Sequence, residues 1–278
     1  MTLHKPANDF NPNKRRITVS AKHFYAAWQF ISSEETRYYL TGVYIEPHPD
    51  GGALLVATDG HTMAVIRDVN ARIDGDQGWI CGLPKHPFDA KLKRRDAGHL
   101  HFVGRTAYLT ESIMAGAVSE PGFDPTLITE FHMAIAFARP IDGTFPEWRR
   151  VIPNEGPGTA ESCDINGKYL ARFNKAISVL REDNGATPVK LFTPAAGTGN
   201  PIILRCADAP DFFGIQMPMR TGDCSKYPYW LALPDPETKP GTKPEPANDT
   251  KPVTAGPPPK CRPVVGLKTP AVTKTTAA

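Results

Sequence analysis

The sequence predicts an α+β fold assembled from about three copies of one unit, each a strand, a helix and three further strands, followed by a disordered tail. Three observations carry this. Short segments alternate apolar and polar residues and are separated by Asp-Gly turn signals, amphipathic stretches at helical spacing directly follow short strands, and the composition changes near residue 233.

In the first unit, residues 17–19 read as a strand, and Ser20 is placed to cap a helix whose Phe24, Trp28 and Ile31 recur on one face. Strands follow at 39–46, 53–57 and 62–67, joined by turns at Pro49-Asp50-Gly51-Gly52 and Asp59-Gly60. The middle unit is less regular: a strand at 79–81, a short helix near 88–95, and strands at 100–103, 107–109 and 133–138. A loop at 112–129 interrupts it, long enough to be either functional or mobile. The third unit repeats the plan with a strand at 162–165, a helix at 168–180 presenting Leu170, Phe173, Ile177 and Leu180, and strands at 189–193, 201–206 and 212–217.

Residues 233–278 hold 11 of the 29 prolines and no aromatic residue. Such a segment cannot bury enough apolar surface to offset its ordering entropy, so a disordered, partly polyproline II tail is expected. The tail carries seven Lys/Arg against four Asp/Glu, which accounts for the whole net charge of +3. Any nucleic-acid argument then rests on where the charges lie. Lys168, Arg172 and Lys175 fall four and three apart on the third unit's helix, and Lys91, Lys93, Arg94 and Arg95 cluster in the middle unit. Lys14, Arg15 and Arg16 add a basic patch before the first strand. An ordinary solvated helix face produces the same pattern.

Five cysteines, widely spaced and without CxxC or paired Cys/His spacing, read as reduced structural thiols; no metal site and no cofactor are expected. With no apolar run of 18 residues and no apolar stretch at the N-terminus, a cytoplasmic location away from membranes is expected.

Four segments carry the functional signal: Arg37-Tyr38-Tyr39-Leu40-Thr41-Gly42, Ala57-Thr58-Asp59-Gly60-His61-Thr62-Met63-Ala64-Val65, residues 142–151 (DGTFPEWRRV) and residues 214–220 (GIQMPMR). In this order they resemble the bacterial DNA polymerase III beta subunit, the sliding-clamp family, over roughly residues 14–220. The resemblance implies a DNA clamp fold, with 14–153 similar to the family's middle domain, 154–232 to the end of its last domain, and 233–278 left as the tail. It also implies a replication processivity factor without an active site of its own, helices turned toward duplex DNA, and a nucleoid-associated location when on DNA. Partners implied are sequence-independent double-stranded DNA, peptides from polymerases and clamp loaders, and a homo-oligomer.

Carried over by that resemblance, one wall of a peptide-binding groove comprises Leu40, Thr58, Gly60, His61 and Met63. Pro146, Arg150 and Val151 come from the connecting segment, and Asn166, Tyr169, Ile215, Met217, Pro218, Met219 and Arg220 from the other wall. Methionine is flexible and polarisable, so Met63, Met217 and Met219 suit a surface that accepts several apolar ligands, and Arg150 or Arg220 suits a peptide carbonyl or carboxylate. Thr62 stands where the family often has a basic residue, which predicts an altered peptide preference.

An odd number of units predicts that the third sheet lacks its usual partner and self-associates through residues 160–220. Trp230, Leu231 and Leu233 are expected either to reach back into the groove or to strap a sheet. A rival reading is a decoy that keeps the groove without forming a ring. An enzyme reading pairs Asp59 with His61 as the general base of a hydrolase; against it, Asp-Gly between apolar strands is a hairpin signal in its own right, and no nucleophile elbow, P-loop, GxGxxG or HExxH is present.

Overall fold

The computed structural model describes residues 16–120, 122–153, 157–158, 164–181, 187–194 and 200–219. The expectations for Lys14, Arg15, Ser162, Arg220, Trp230 and the tail at 233–278 lie outside these residues. All of the described residues belong to one compact unit, Met1–Gly222.

The first repeat comprises β1 (Arg16–Ser20), α1 (Ala21–Trp28), β2 (Val43–Pro47), β3 (Ala53–Thr58) and β4 (Thr62–Asp68), with β5 (Arg72–Ile73) behind it. The second comprises β6 (Trp79–Gly82), α2 (Lys85–Leu92), β7 (Ala97–Val103), β8 (Thr106–Glu111) and β9 (His132–Phe137), with α3 (Ala115–Ser119) between β8 and β9 and β10 (Arg139–Pro140) after them. The third comprises β11 (Pro157–Gly158), α4 (Gly167–Arg181), β12 (Lys190–Pro194), β13 (Ile202–Cys206) and β14 (Ala209–Gln216).

The first two repeats exchange their opening strands: β1 pairs with β7 and β6 with β2, both antiparallel. Two sheets result, ordered β5-β1-β7-β8-β9 and β10-β6-β2-β3-β4-β14-β13-β12-β11. The longer one is continuous because β14 lies antiparallel on β4, with Phe213 opposite Val65 and Ile215 opposite Met63. The last strand of the third repeat is thus covered from within the chain, contrary to the expectation that this repeat stands without a partner.

Strand periodicity explains why both faces of the long sheet are dry around β4. Along β4, Ala64 and Ile66 point into the main core with Phe24, Tyr25 and Phe102, while Met63 and Val65 point the other way into a second cluster with Leu40, Val56, Ile80 and Ile215. Ile141, Phe145 and Trp148 of the connecting segment close that second cluster, and Phe145 stacks on Tyr44 at 4.7 Å between ring centroids.

α1 is buried nearly all round, with Ala21, Phe24, Tyr25, Ala26, Ala27 and Trp28 all in the core. Ser20 does not cap it through its side chain. Instead the Ser20 backbone N–H donates to Asp68 Oδ2 at 2.6 Å, and Asp68, 1% exposed, also accepts from the Asn70 N–H at 3.2 Å and lies 3.4 Å from His23 Nδ1. Burial alone would raise the Asp68 pKa; His23 and the two backbone donors outweigh it and hold the carboxyl below its ordinary value.

Several boundaries differ from the sequence expectation. α1 stops at Trp28, so Ile31 packs on the core from the exit loop rather than from the helix. Residues Tyr38–Leu40 form a 3-10 turn and β2 starts only at Val43. α2 begins at Lys85, with His86 extended at φ −99°, ψ 131°; the following Pro87 disfavours the helical region for His86 and accounts for the break. The segment expected as a loop at 112–129 contains a 3-10 turn and α3. In α4 the buried residues are Phe173, Ala176 and Ile177, while Leu170 is 36% exposed, because the helix covers only one end of one sheet. Among the described residues no helix is long and apolar enough to cross a membrane, and no three His, Cys, Asp or Glu side chains converge as metal ligands.

Candidate functional site

The β4–β14 junction opens outward into a cavity of about 240 Å³ lined chiefly by apolar side chains. Of the residues proposed for the groove, Leu40, Thr58, Gly60, His61, Met63, Pro146, Val151, Ile215 and Met217 line it. Arg37, Tyr39, Thr62, Glu147 and Trp148 line it as well. All five lie in the quoted segments; Trp148 is buried, with Arg149 stacked on its ring at 4.1 Å, an arrangement that the WRRV motif alone does not disclose.

The remaining proposed residues stand nearby or apart. Tyr169 stacks on the His61 imidazole with centroids 6.0 Å apart, and Asn166 accepts the Lys168 N–H through Oδ1 at 3.0 Å, starting α4. Met219 is exposed and joins Asp164 in a short antiparallel bridge, its N–H donating to the Asp164 carbonyl at 2.8 Å. Arg150, Asn166, Tyr169, Pro218 and Met219 do not line the cavity.

Asp59 organises the hairpin that frames the site. Its Oδ1 accepts the His61 N–H at 2.9 Å, the Thr62 N–H at 2.7 Å and the Thr62 hydroxyl at 3.0 Å. Thr58 Oγ1 accepts the Gly60 N–H at 3.0 Å and donates to the Thr62 carbonyl at 2.7 Å. Gly60 takes φ +89°, a conformation that side-chain-bearing residues rarely adopt, which is why glycine suits the turn; the Arg37 guanidinium that a Cβ would meet at 2.6 Å is the end of a flexible side chain. From α4, Arg172 Nη1 donates to Asp59 Oδ2 at 2.5 Å and to Thr62 Oγ1 at 3.3 Å. Burial would push the Asp59 carboxyl up, but the two backbone donors and Arg172 together hold it below its ordinary value. The Met217 N–H donating to the His61 carbonyl at 2.8 Å completes the link between the first and third repeats.

The Asp59–His61 pair on which the hydrolase reading rests is not formed. Both Asp59 oxygens face backbone donors, Thr62 and Arg172, and the His61 ring lies on Tyr169 instead of on the carboxylate. The same contacts reassign Arg172, proposed for DNA: its guanidinium is committed to Asp59. Lys91 donates to the Met133 carbonyl and Arg94 is paired with Asp96. Lys93, Arg95, Lys168 and Lys175 remain exposed, and Lys175 sits 5.3 Å from the Tyr25 ring. Lys175 and Arg172 also line a more polar cavity of about 460 Å³ with Trp28, Gln29, Ile31, Ser33 and Asp89.

No protein-family model matches the chain. Over 129 residues it is 33% identical to the beta sliding clamp of Caulobacter vibrioides, an alignment covering 45% of this chain and 30% of that protein. Among solved structures, DNA polymerase III subunit beta from Borrelia burgdorferi aligns with a TM-score of 0.50 at 16% identity, covering 79% of this chain and 68% of that one. The DNA polymerase sliding clamp from Bacillus subtilis aligns at 0.51 and 14%, covering 79% and 67%. The fold is therefore that of the sliding clamps. In sequence the chain is similar to the curated beta sliding clamp over less than a third of that protein's length.

Proposed function

We propose that this chain is a sliding-clamp-like DNA replication accessory protein, without catalytic chemistry of its own, that binds partner peptides in the β4–β14 groove and contacts duplex DNA without reading its sequence. The observation that carries the reading is the cavity itself: two adaptable methionines, Met63 on β4 and Met217 just past the end of β14, approach one apolar space from different repeats. A leucine or aromatic anchor fits such a space, and Arg37 and His61 at its edge suit peptide carbonyls. Polymerase and clamp-loader peptides are the proposed ligands, and the cytoplasm, on nucleoid DNA, the proposed location.

A fluorescent peptide with spaced leucine and aromatic anchors tests this. Binding should be micromolar, and Met217→Ala should weaken it by about 1–2 kcal/mol. Equal affinity of wild type and the Met63→Ala/Met217→Ala double variant contradicts the pocket assignment.

One observation favours the decoy reading, a groove binder that does not ride on DNA: of the seven cations proposed for duplex contact, Lys91, Arg94 and Arg172 already serve partners within the protein. Retention on nicked circular DNA separates the two. A clamp stays on the circle until it is linearised, and a decoy washes off at once.

A further inference from the structure

Arg172 takes part in two cavities at once. Toward the groove, its Nη1 donates to Asp59 Oδ2 at 2.5 Å and to Thr62 Oγ1 at 3.3 Å, and Asp59 Oδ1 in turn holds the backbone N–H groups of His61 and Thr62, two residues that line the groove. Away from it, Arg172 lines the polar cavity of about 460 Å³ to which α1 and its exit, α2 and α4 all contribute. Both hairpin contacts use Nη1 alone, so the Nε and Nη2 donors of the same guanidinium have no partner among the described residues. Lys175, one helical turn further along α4, lines the cavity beside it, is exposed, and forms no ion pair among the described residues. Asp89 of α2 is the one carboxylate among the described lining residues, so two cations face a single anion there, and Ser33 adds a hydroxyl.

We propose that this cavity binds a phosphate group and that Arg172 couples its occupancy to the groove. A guanidinium presents donors on more than one edge and can serve two anions together: Asp59 through Nη1, and a phosphate through Nε and Nη2, with the Lys175 ammonium as a further donor. A phosphate on the second edge restricts the long Arg172 side chain, which then holds Asp59, and with it the His61 and Thr62 amides, more firmly. The entropy of ordering that side chain is lost once for both sites, so each ligand strengthens the other by the same factor. Tyr169 lies on the same route, its ring 5.1 Å from Arg172 Cζ and stacked on His61 at 6.0 Å. The peptide side of this coupling rests on the proposed function; the link from cavity to hairpin does not.

Hydrogen exchange on the full chain tests that link without any peptide, in sodium chloride and then with inorganic phosphate or a short duplex at the same ionic strength. The His61 and Thr62 amides should exchange at least about fivefold more slowly with a phosphate-bearing probe. The Arg172 Nε–H resonance should shift with the same probe. Lys175→Gln should remove most of the slowing, and Asp89→Asn, which takes away the opposing charge, should lower the concentration of probe required. Slowing by the duplex, with or without inorganic phosphate, identifies a backbone phosphodiester as the ligand; slowing by inorganic phosphate alone identifies a small phosphate. Unchanged exchange with both probes overturns the proposal, as does slowing that survives Lys175→Gln. The effective probe should also tighten a fluorescent anchor peptide about fivefold, and a peptide bound equally well with and without it overturns the coupling. A peptide that never binds counts against the proposed function, and the exchange result alone then decides the link.

Discussion

The first and third repeats follow one plan but bury their helices differently. α1 lies against both sheets and is buried on almost every side, whereas α4 rests on the end of one sheet and buries Phe173, Ala176 and Ile177 alone. The third repeat therefore completes its core on the first: Phe30, just past α1, sits 4.9 Å from Phe173 and 6.2 Å from Phe212, and all three rings are essentially inaccessible. A repeat that borrows its core must be held at a defined register. The same β4–β14 pairing that holds it also builds the groove, so stability and the candidate site share one junction.

Removing the borrowed ring should have the largest effect. Phe30→Ala is expected to cost about 3–5 kcal/mol in urea unfolding, the usual range for emptying a buried aromatic position. Hydrogen exchange should locate the loss in α4 and β14, with β7 and β8 retaining protection. Equal loss in all four would mean that the third repeat is no more dependent than the others.

Acid separates the regions by pH. In the five-stranded sheet His101 is fully buried, its Nδ1 2.9 Å from Thr18 Oγ1 and its Nε2 3.0 Å from Thr110 Oγ1. Burial, with the neighbouring His99 and His132, lowers its pKa from 6.5 to about 3. Folded His101 stays neutral while the unfolded chain takes up a proton, so this contribution is complete above pH 6.5 and is lost as pH falls toward 3. The expected slope is about 1.4 kcal/mol per pH unit inside that window, and His101→Gln should flatten it. Asp59 and Asp68 act later: their depressed pKa values give stability that is present above the ordinary 3.8 and lost only as pH falls through the lower folded values. The repeat junction should therefore loosen at more acid pH than the five-stranded sheet does.

Arg172→Ala should cost less, about 1–2 kcal/mol, since the guanidinium is a third exposed and partly screened. Its mark is where the loss falls: the 58–62 hairpin and α4 should gain exchange together, and Arg172→Lys should not restore the contact to both Asp59 and Thr62. Weakest of all, Lys168→Ala/Lys175→Ala should leave stability within about 0.5 kcal/mol while lowering the salt slope of duplex binding by about two. An unchanged slope moves the duplex contact away from α4.

Local chemistry made much of this legible. Apolar alternation and Asp-Gly turns mark β3, β4 and the hairpin between them, and the helical spacing of Phe173 and Ile177 marks α4. What stayed hidden depends on distant partners. Leu170 fits the apolar stripe by spacing, yet only the position of α4 at the sheet's end decides that it faces out. Arg172 looks like a solvent-facing cation until Asp59, 113 residues earlier, is placed beside it. The two-residue strands β5 and β10 are too short to show a period, and the β4–β14 pairing, on which the groove depends, leaves no mark in either strand alone.

Methyl resonances of the methionines offer the most direct measurement, because Met63 and Met217 line the groove while Met133 lies on β9. With ¹³C-methyl labels and a peptide bearing leucine and aromatic anchors, the signals of Met63 and Met217 should shift together along one binding curve, while Met133, on β9, stays still. Independent curves for Met63 and Met217, or a peptide that moves Met133 and leaves those two unchanged, would contradict a single groove built across the β4–β14 junction.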